Sequence, residues 1–90
     1  MKKINIEKPS KTKLDSLGIQ SWSSWECEPS TFDWEYETDE IAYVLNGKVN
    51  VKTETGQEIE INKGDLVYFP KGLKCTWNVI EKISKVYTFK

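Results

Sequence analysis

The sequence predicts one all-β domain, a barrel or a sandwich. Three observations carry that prediction. Phe32, Asp33, Trp34, Glu35, Tyr36 and Glu37 alternate aromatic and acid, the period of a strand with one buried face. Asn46-Gly47 follows the apolar run Ile41 to Leu45 and precedes Val49 and Val51. Asn-Gly between apolar runs is a strong hairpin signal, because a type I′ turn needs positive φ at both central residues. Leu66 to Phe69 is a short apolar run between Gly64-Asp65 and Pro70-Lys71-Gly72. Short strands with a turn signal every ~8–12 residues are the pattern of barrels and sandwiches.

The elements follow in order. Lys2 to Glu7 alternates Ile4 and Ile6 with polar residues and reads as a first strand, ended by Pro9. Ser10 to Leu17 reads as a single short N-terminal helix. Ser10 suits its N-cap, Leu14 and Leu17 share a face, and Gly18 suits its stop. Ser21 to Glu28, with Trp22 and Trp25, reads as a short strand closed by Pro29. Phe32 to Glu37 is the next, with Phe32, Trp34 and Tyr36 inward. Glu40 to Leu45 places Glu40, Ala42 and Val44 on one face and Ile41, Tyr43 and Leu45 on the other, so both faces need cover. Lys48 to Thr53 returns after the expected hairpin. Thr55-Gly56 is a second turn, Gln57 to Ile61 a strand, Asn62 to Asp65 a third turn and Leu66 to Phe69 a strand. After Pro70-Lys71-Gly72, Lys74 to Ile80 carries Cys75, Trp77 and Val79 on one face. Val86 to Phe89 is a last strand.

Length and composition bound the function. Ninety residues make one domain, and a chain of this size buries only about 60–65% of its unfolded surface. Four Trp, four Tyr and three Phe suit a β-rich core. With 13 basic and 14 acidic residues the net charge is −1, which gives no electrostatic footprint for nucleic acid. No apolar stretch follows Met1-Lys2-Lys3, so no signal peptide is read there. The run Ile41 to Leu45 is far shorter than the ~20 residues of a membrane span. Cys27 and Cys75 lack metal-knuckle spacing. They read most simply as free thiols in a reducing cytoplasm, with a disulfide between them left open.

The two central stretches resemble the cupin family. Its first motif ends in a glutamate followed, after six residues, by a glycine, and Glu40 and Gly47 match. The two histidine positions fall on Trp34 and Tyr36. In the second motif Gly64, Pro70 and Gly72 match, the histidine position is Cys75 and the asparagine position is Val79. More narrowly, Phe32-Asp33-Trp34, Glu40, Gly47, Gly64-Asp65, Pro70-Lys71-Gly72 and Cys75-Thr76-Trp77 resemble the small cupins grouped with (S)-ureidoglycine aminohydrolase. The resemblance implies a single RmlC-like cupin β-barrel, a double-stranded β-helix, over residues 1–90. It carries hydrolysis of a small nitrogenous substrate as an implied activity.

The chain contains no histidine. That excludes a three-histidine metal site, histidine acid–base work, and any Ser-His or Cys-His nucleophile pair within the chain. Trp34, Tyr36, Glu40, Cys75 and Trp77 remain as candidate ligand-binding residues. Trp34, Tyr36 and Trp77 are either core aromatics or walls of a pocket for a planar ligand. An inward Glu40 needs a partner, such as Tyr36 or water, or a raised pKa. Cys75 is a metal ligand, a nucleophile or an inert buried thiol, the last being preferred. Glu40 and Cys75 are the catalytic candidates, and two ligands are too few for zinc, so no metal and no cofactor is expected. Lys82 and Lys85 read as solvated surface charges.

The leading expectation is a barrel that binds a small molecule without metal. The alternatives are an enzyme using Glu40 and Cys75, and a structural or interaction barrel with a filled core. The exposed apolar face of Ile41, Tyr43 and Leu45 is expected to be covered by the N-terminal segment or by a second copy, with a homodimer favoured.

Overall fold

The computed structural model describes residues 3–90. Seven strands and one helix follow in order: β1 (Asn5–Glu7), α1 (Lys11–Leu17), β2 (Ser23–Cys27), β3 (Ser30–Glu35), β4 (Glu40–Thr53), β5 (Glu58–Asn62), β6 (Leu66–Phe69) and β7 (Lys74–Phe89), with a 3-10 turn at Ile19–Ser21. All pairings are antiparallel. The two long strands, β4 and β7, pair with each other from end to end. The shorter strands dress their outer edges. β6 pairs the first part of β4 and β5 its second part, while β3 pairs the first part of β7 and β2 its second part. β1 adds to β6. The two long strands therefore belong to both walls of the barrel, and Ala42, Val44, Val49, Val51, Val67, Phe69, Trp77, Val79 and Ile83 fill the space between.

Two expectations about these strands are corrected. Asn46-Gly47 does not close a hairpin. The chain runs on through it as β4, and the register against β7 shifts between Val44 and Val49. A bulge lets a strand bend and pass from one wall to the other. Gly47 has φ 100°, and a Cβ there would strike the Lys82 carbonyl oxygen and lie 2.6 Å from Ile83 Cα. The glycine is needed for that close crossing as well as for its backbone angle. Likewise the two strands expected at Lys74 to Ile80 and Val86 to Phe89 are one strand, since Glu81, Ser84 and Lys85 between them stay paired with β4.

The N-terminal elements form much as read. Ser10 caps α1 by accepting from Lys13 N at 3.2 Å, and Gly18 ends it in the left-handed region at φ 69°. Lys2, in the expected first strand, lies outside the described residues. Ile4 and Ile6 part company: Ile4 is buried in the core and Ile6 is exposed. The Gln57 amide holds the Ile4 backbone from both sides, accepting from its N–H at 3.0 Å and donating to its carbonyl at 3.1 Å. Lys8 pairs with the buried Asp65, whose carboxylate also accepts from Asn62 N at 2.7 Å across the third turn. Lys13 of α1 reaches back to Glu7 at 2.8 Å. Among the described residues no helix is long and apolar enough to cross a membrane.

One chain already buries Ile41 to 2% exposure, leaves Tyr43 half-buried and leaves Leu45 37% exposed. Ile41 and Leu66 are buried outside the barrel's interior cluster, so their burial does not call for a second copy.

The crossing at Gly47 gives a direct test. Gly47→Ala should cost on the order of 2–4 kcal/mol, from backbone strain plus the collision with β7. Gly56 has a similar angle, φ 94°, but open space around it, so Gly56→Ala should cost about 1 kcal/mol. Urea denaturation of both variants measures the difference, and equal losses would show that the close approach does not matter.

Candidate functional site

The β4–β7 register places the site. Trp25 on β2 stands opposite Lys85, Phe32 on β3 stands opposite Trp77, and Glu40 stands opposite Phe69 on β6. Directly opposed residues share a face, so these side chains converge inside the barrel. All but Phe69 line a cavity of about 790 Å³ whose walls include Trp25, Phe32, Trp34, Tyr36, Trp77 and Tyr87. Asp33, Glu35 and Glu37 also line it.

At the inner end sits an ion pair that the sequence reading missed. Lys85 is 6% exposed and Glu40 7% exposed. The Lys85 ammonium donates to Glu40 Oε2 at 2.8 Å. It also lies 4.9 Å from the Trp77 ring centroid, 5.1 Å from Trp25, 5.4 Å from Tyr87 and 5.7 Å from Phe69. The expectation of a solvated Lys85 is therefore corrected: the amine is caged by four rings and one carboxylate. Cation–π attraction of this kind reaches ~2 kcal/mol when desolvated. Burial pulls the Lys85 pKa below the ordinary lysine value, and the Glu40 charge opposes that pull. A signal was available. Counting in twos from Cys75, Trp77 and Val79 reaches Ile83 and Lys85, so unbroken alternation puts Lys85 on the inner face.

The carboxylate partner also differs from expectation. Glu40 is satisfied by Lys85, whereas the Tyr36 hydroxyl has no hydrogen-bond partner. Tyr36 stacks on Phe69 at 4.6 Å and 8°. Burial first, then the nearby charges of Glu40 and Cys75, push its phenol well above the ordinary tyrosine pKa, so it stays a neutral donor. Trp77 Nε1 is likewise buried without a partner. The indole lies near the Tyr36 hydroxyl and the Cys75 thiol and slightly favours their charged forms, but it does not reach hydrogen-bonding geometry with either.

Of the five residues singled out in the sequence, Trp34, Tyr36, Glu40 and Trp77 line this cavity. Trp34, expected inward, is 52% exposed and stands at the cavity's edge. β3 has β7 as its one partner strand among the described residues, so its other edge is open and the Trp34 ring is left uncovered there, while Cys75, directly opposite on β7, is buried. Cys75 does not line the cavity. It is buried behind a second, more open depression shared with Trp34, Thr53 and Thr76. Its thiol donates to the Trp34 carbonyl at 3.7 Å. Burial, against the pull of Trp77, pushes the thiol up to about 11. Both cysteines are free.

The metal positions of the cupin motif do not fit an ion here. Trp34 is an apolar ring at the edge, Tyr36 is stacked and held neutral, Glu40 is neutralised by Lys85, and Cys75 is protonated. Among the described residues no three His, Cys, Asp or Glu side chains cluster to hold one. No step is derived through a metal.

Comparison with known proteins places the chain. The family model described as the EutQ-like cupin domain matches residues 14–87. The chain belongs to that family. This EutQ-like cupin is 50% identical to a DUF861 family protein from Thermotoga maritima, with a TM-score of 0.96 over 98% of this chain and 100% of that one. It is 32% identical over 62 residues to the acetate kinase EutQ of Clostridioides difficile strain 630, a match covering 69% of this chain and 39% of that protein. The solved EutQ protein of Clostridium difficile superposes with a TM-score of 0.66 at 23% identity, over 96% of this chain and 66% of that one, a likeness of fold.

Two measurements test the site. Lys85→Met leaves the Glu40 carboxylate buried and alone, and should cost about 3–5 kcal/mol. Adding Glu40→Gln should recover part of that loss, so the double variant should be more stable than Lys85→Met. Simple addition of the two single losses in urea denaturation would show that the side chains are not coupled. For the thiols, a pKa near 11 leaves only about 0.1% thiolate at pH 8. Iodoacetamide at that pH should label Cys27 in the folded protein and spare Cys75, with both labelled in urea.

Proposed function

We propose that this cupin is a metal-independent binding module that holds a small, planar, uncharged molecule in its aromatic cavity. The observation that carries the reading is the pair of buried, unpartnered donors, Tyr36 Oη and Trp77 Nε1, on two of the aromatic residues that line the cavity. A buried donor without a partner costs about 1–3 kcal/mol. A ligand acceptor, such as a carbonyl or ether oxygen, would recover that cost. The rings supply stacking surface and the donors fix orientation, the usual division of labour in small-molecule sites.

Charge argues for a neutral ligand. Among the described residues Lys85 is the one cation lining the cavity and Glu40 already neutralises it, while the acids Asp33, Glu35 and Glu37 surround the rim with negative charge. A phosphate would meet no free cation there, which weighs against carrying the kinase activity of the Clostridioides difficile EutQ across to this chain. The ureidoglycine aminohydrolase alternative asks Glu40 to act as a free general base, and Lys85 occupies that carboxylate instead.

The test uses benzamide and benzyl alcohol as neutral aromatic probes. Both should shift the indole N–H resonances of Trp77 and Trp25 in an NMR titration. Trp34→Ala should weaken the affinity about tenfold by removing one stacking wall, with the urea midpoint little changed because that ring is half exposed. Absence of indole shifts at millimolar probe would end the binding reading.

A further inference from the structure

Lys85 is more than a buried cation. Among the described residues it is the one lysine lining the aromatic cavity, and a carboxylate stands 2.8 Å from its amine, ready to take a proton. Two residues of the same cavity, Tyr36 and Trp77, each bury a donor without a partner behind its surface. A nucleophilic amine and a proton carrier side by side at one cavity are the parts that capture of a carbonyl group requires. We propose that Lys85 is a covalent carbonyl-capturing residue, forming an imine with a small aldehyde admitted to the cavity, with Glu40 carrying the protons. The inference rests on the binding reading above and names the ligand class for that site.

The steps balance. The Lys85 ammonium passes a proton to Glu40, leaving a neutral amine. The nitrogen lone pair attacks the aldehyde carbon, the C–N bond forms, and the carbonyl π electrons move to oxygen. Glu40 returns the proton to that oxygen, giving a carbinolamine. A second proton travels from nitrogen to the hydroxyl by way of Glu40, the C–O bond breaks and water leaves. The product is a protonated imine beside an ionised Glu40. The net change is ammonium plus aldehyde to iminium plus water, with no oxidant or reductant. The charge pattern of the resting pair is kept, so the product cation remains within reach of the Glu40 carboxylate and the surrounding rings.

Burial supports the first step. It lowers the Lys85 pKa, and an amine desolvated in an apolar pocket is an activated nucleophile. Aromatic walls favour an aromatic aldehyde, and the cavity of about 790 Å³ has room for a single ring.

The experiment treats the full chain with benzaldehyde and sodium cyanoborohydride at neutral pH, then maps the reduced adduct by peptide mass spectrometry. The expected result is one benzyl group, on Lys85, at an occupancy at least tenfold above that of any other lysine or the N-terminus. Lys85→Arg keeps the charge and cannot form an imine, so it should lose the specific adduct. If that variant does not fold, the mapping on the unaltered chain decides alone. Adducts spread over surface lysines with Lys85 unmodified would overturn the proposal. Benzyl alcohol separates the two readings. Indole shifts with the alcohol and no Lys85 adduct with the aldehyde would leave binding standing and end carbonyl capture. No shift and no adduct would end both.

Discussion

The pairing of β4 with β7 is the constraint on which the rest of the molecule depends. Each strand runs through both walls of the barrel, so the two must bend together, and Gly47 lets them cross at Lys82 and Ile83. Apart from Tyr36, which the Gly72 and Leu73 backbone holds, the interior side chains of the site are placed by that pairing or hung directly on it. Trp77, Lys85 and Tyr87 are on β7, Glu40 opens β4, and Trp25 and Phe32 come from strands that pair β7. A slip of one residue would turn all of them outward. The bulge near Gly47 matters for the same reason: it absorbs the bend while keeping Val44, Val49 and Val51 on the inner face.

Within that frame the interior is close to electrically neutral yet polar. The Lys85 ammonium loses its water on burial and regains a carboxylate and four ring faces. The rings serve two ends at once. They stack on one another, Phe32 on Trp77 at 6.1 Å and Tyr36 on Phe69 at 4.6 Å, and they turn electron-rich faces toward the amine. The acids at the cavity wall, Asp33 and Glu35, are the outward alternates of β3, the strand that supplies Phe32 and Trp34. Strand periodicity thus produces an aromatic interior with an acidic surround from one short stretch of sequence.

Most of the barrel was legible in the sequence because its turns and alternation are local signals. Ser10 and Gly18 bound the helix, Leu66 to Phe69 is a strand at the residues read, and the Asn62–Asp65 and Pro70–Gly72 turns lie where their glycines put them. The failures share a cause. Asn46-Gly47 has the chemistry of a hairpin, but the φ > 0 that glycine permits also serves a bulge at a close crossing, and only the partner strand decides between them. The polar stretch Glu81 to Ser84 looked like a break in the last strand, yet paired β strands tolerate polar residues on their outer face. Splitting that strand lost the alternation count, and with it Lys85. In the site, four of the residues named from motif spacing lie around one cavity, while the buried cation among them was assigned to the surface on charge alone. Long charged side chains are so rarely buried unpaired that a composition-level reading sends every lysine outward.

The interior polar groups bear on function through their cost. A domain of 90 residues has a small core, and its stability is correspondingly narrow. Replacing a buried ion pair by well-packed apolar residues is often neutral or stabilising by about 1–4 kcal/mol. Two further buried donors, on Tyr36 and Trp77, stand without partners. Phenylalanine in place of Tyr36 would fill nearly the same volume on the Phe69 ring and remove one of those penalties. A chain selected for packing alone has cheaper solutions at each of these positions. Local rules broken together in one place, with stability forgone at each, are the mark of a site shaped by what enters it. Here the broken rules all concern residues that line one cavity: an amine paired with a carboxylate, and two unpartnered donors buried behind its aromatic walls. That concentration of costly groups around one cavity is what supports the proposed binding role.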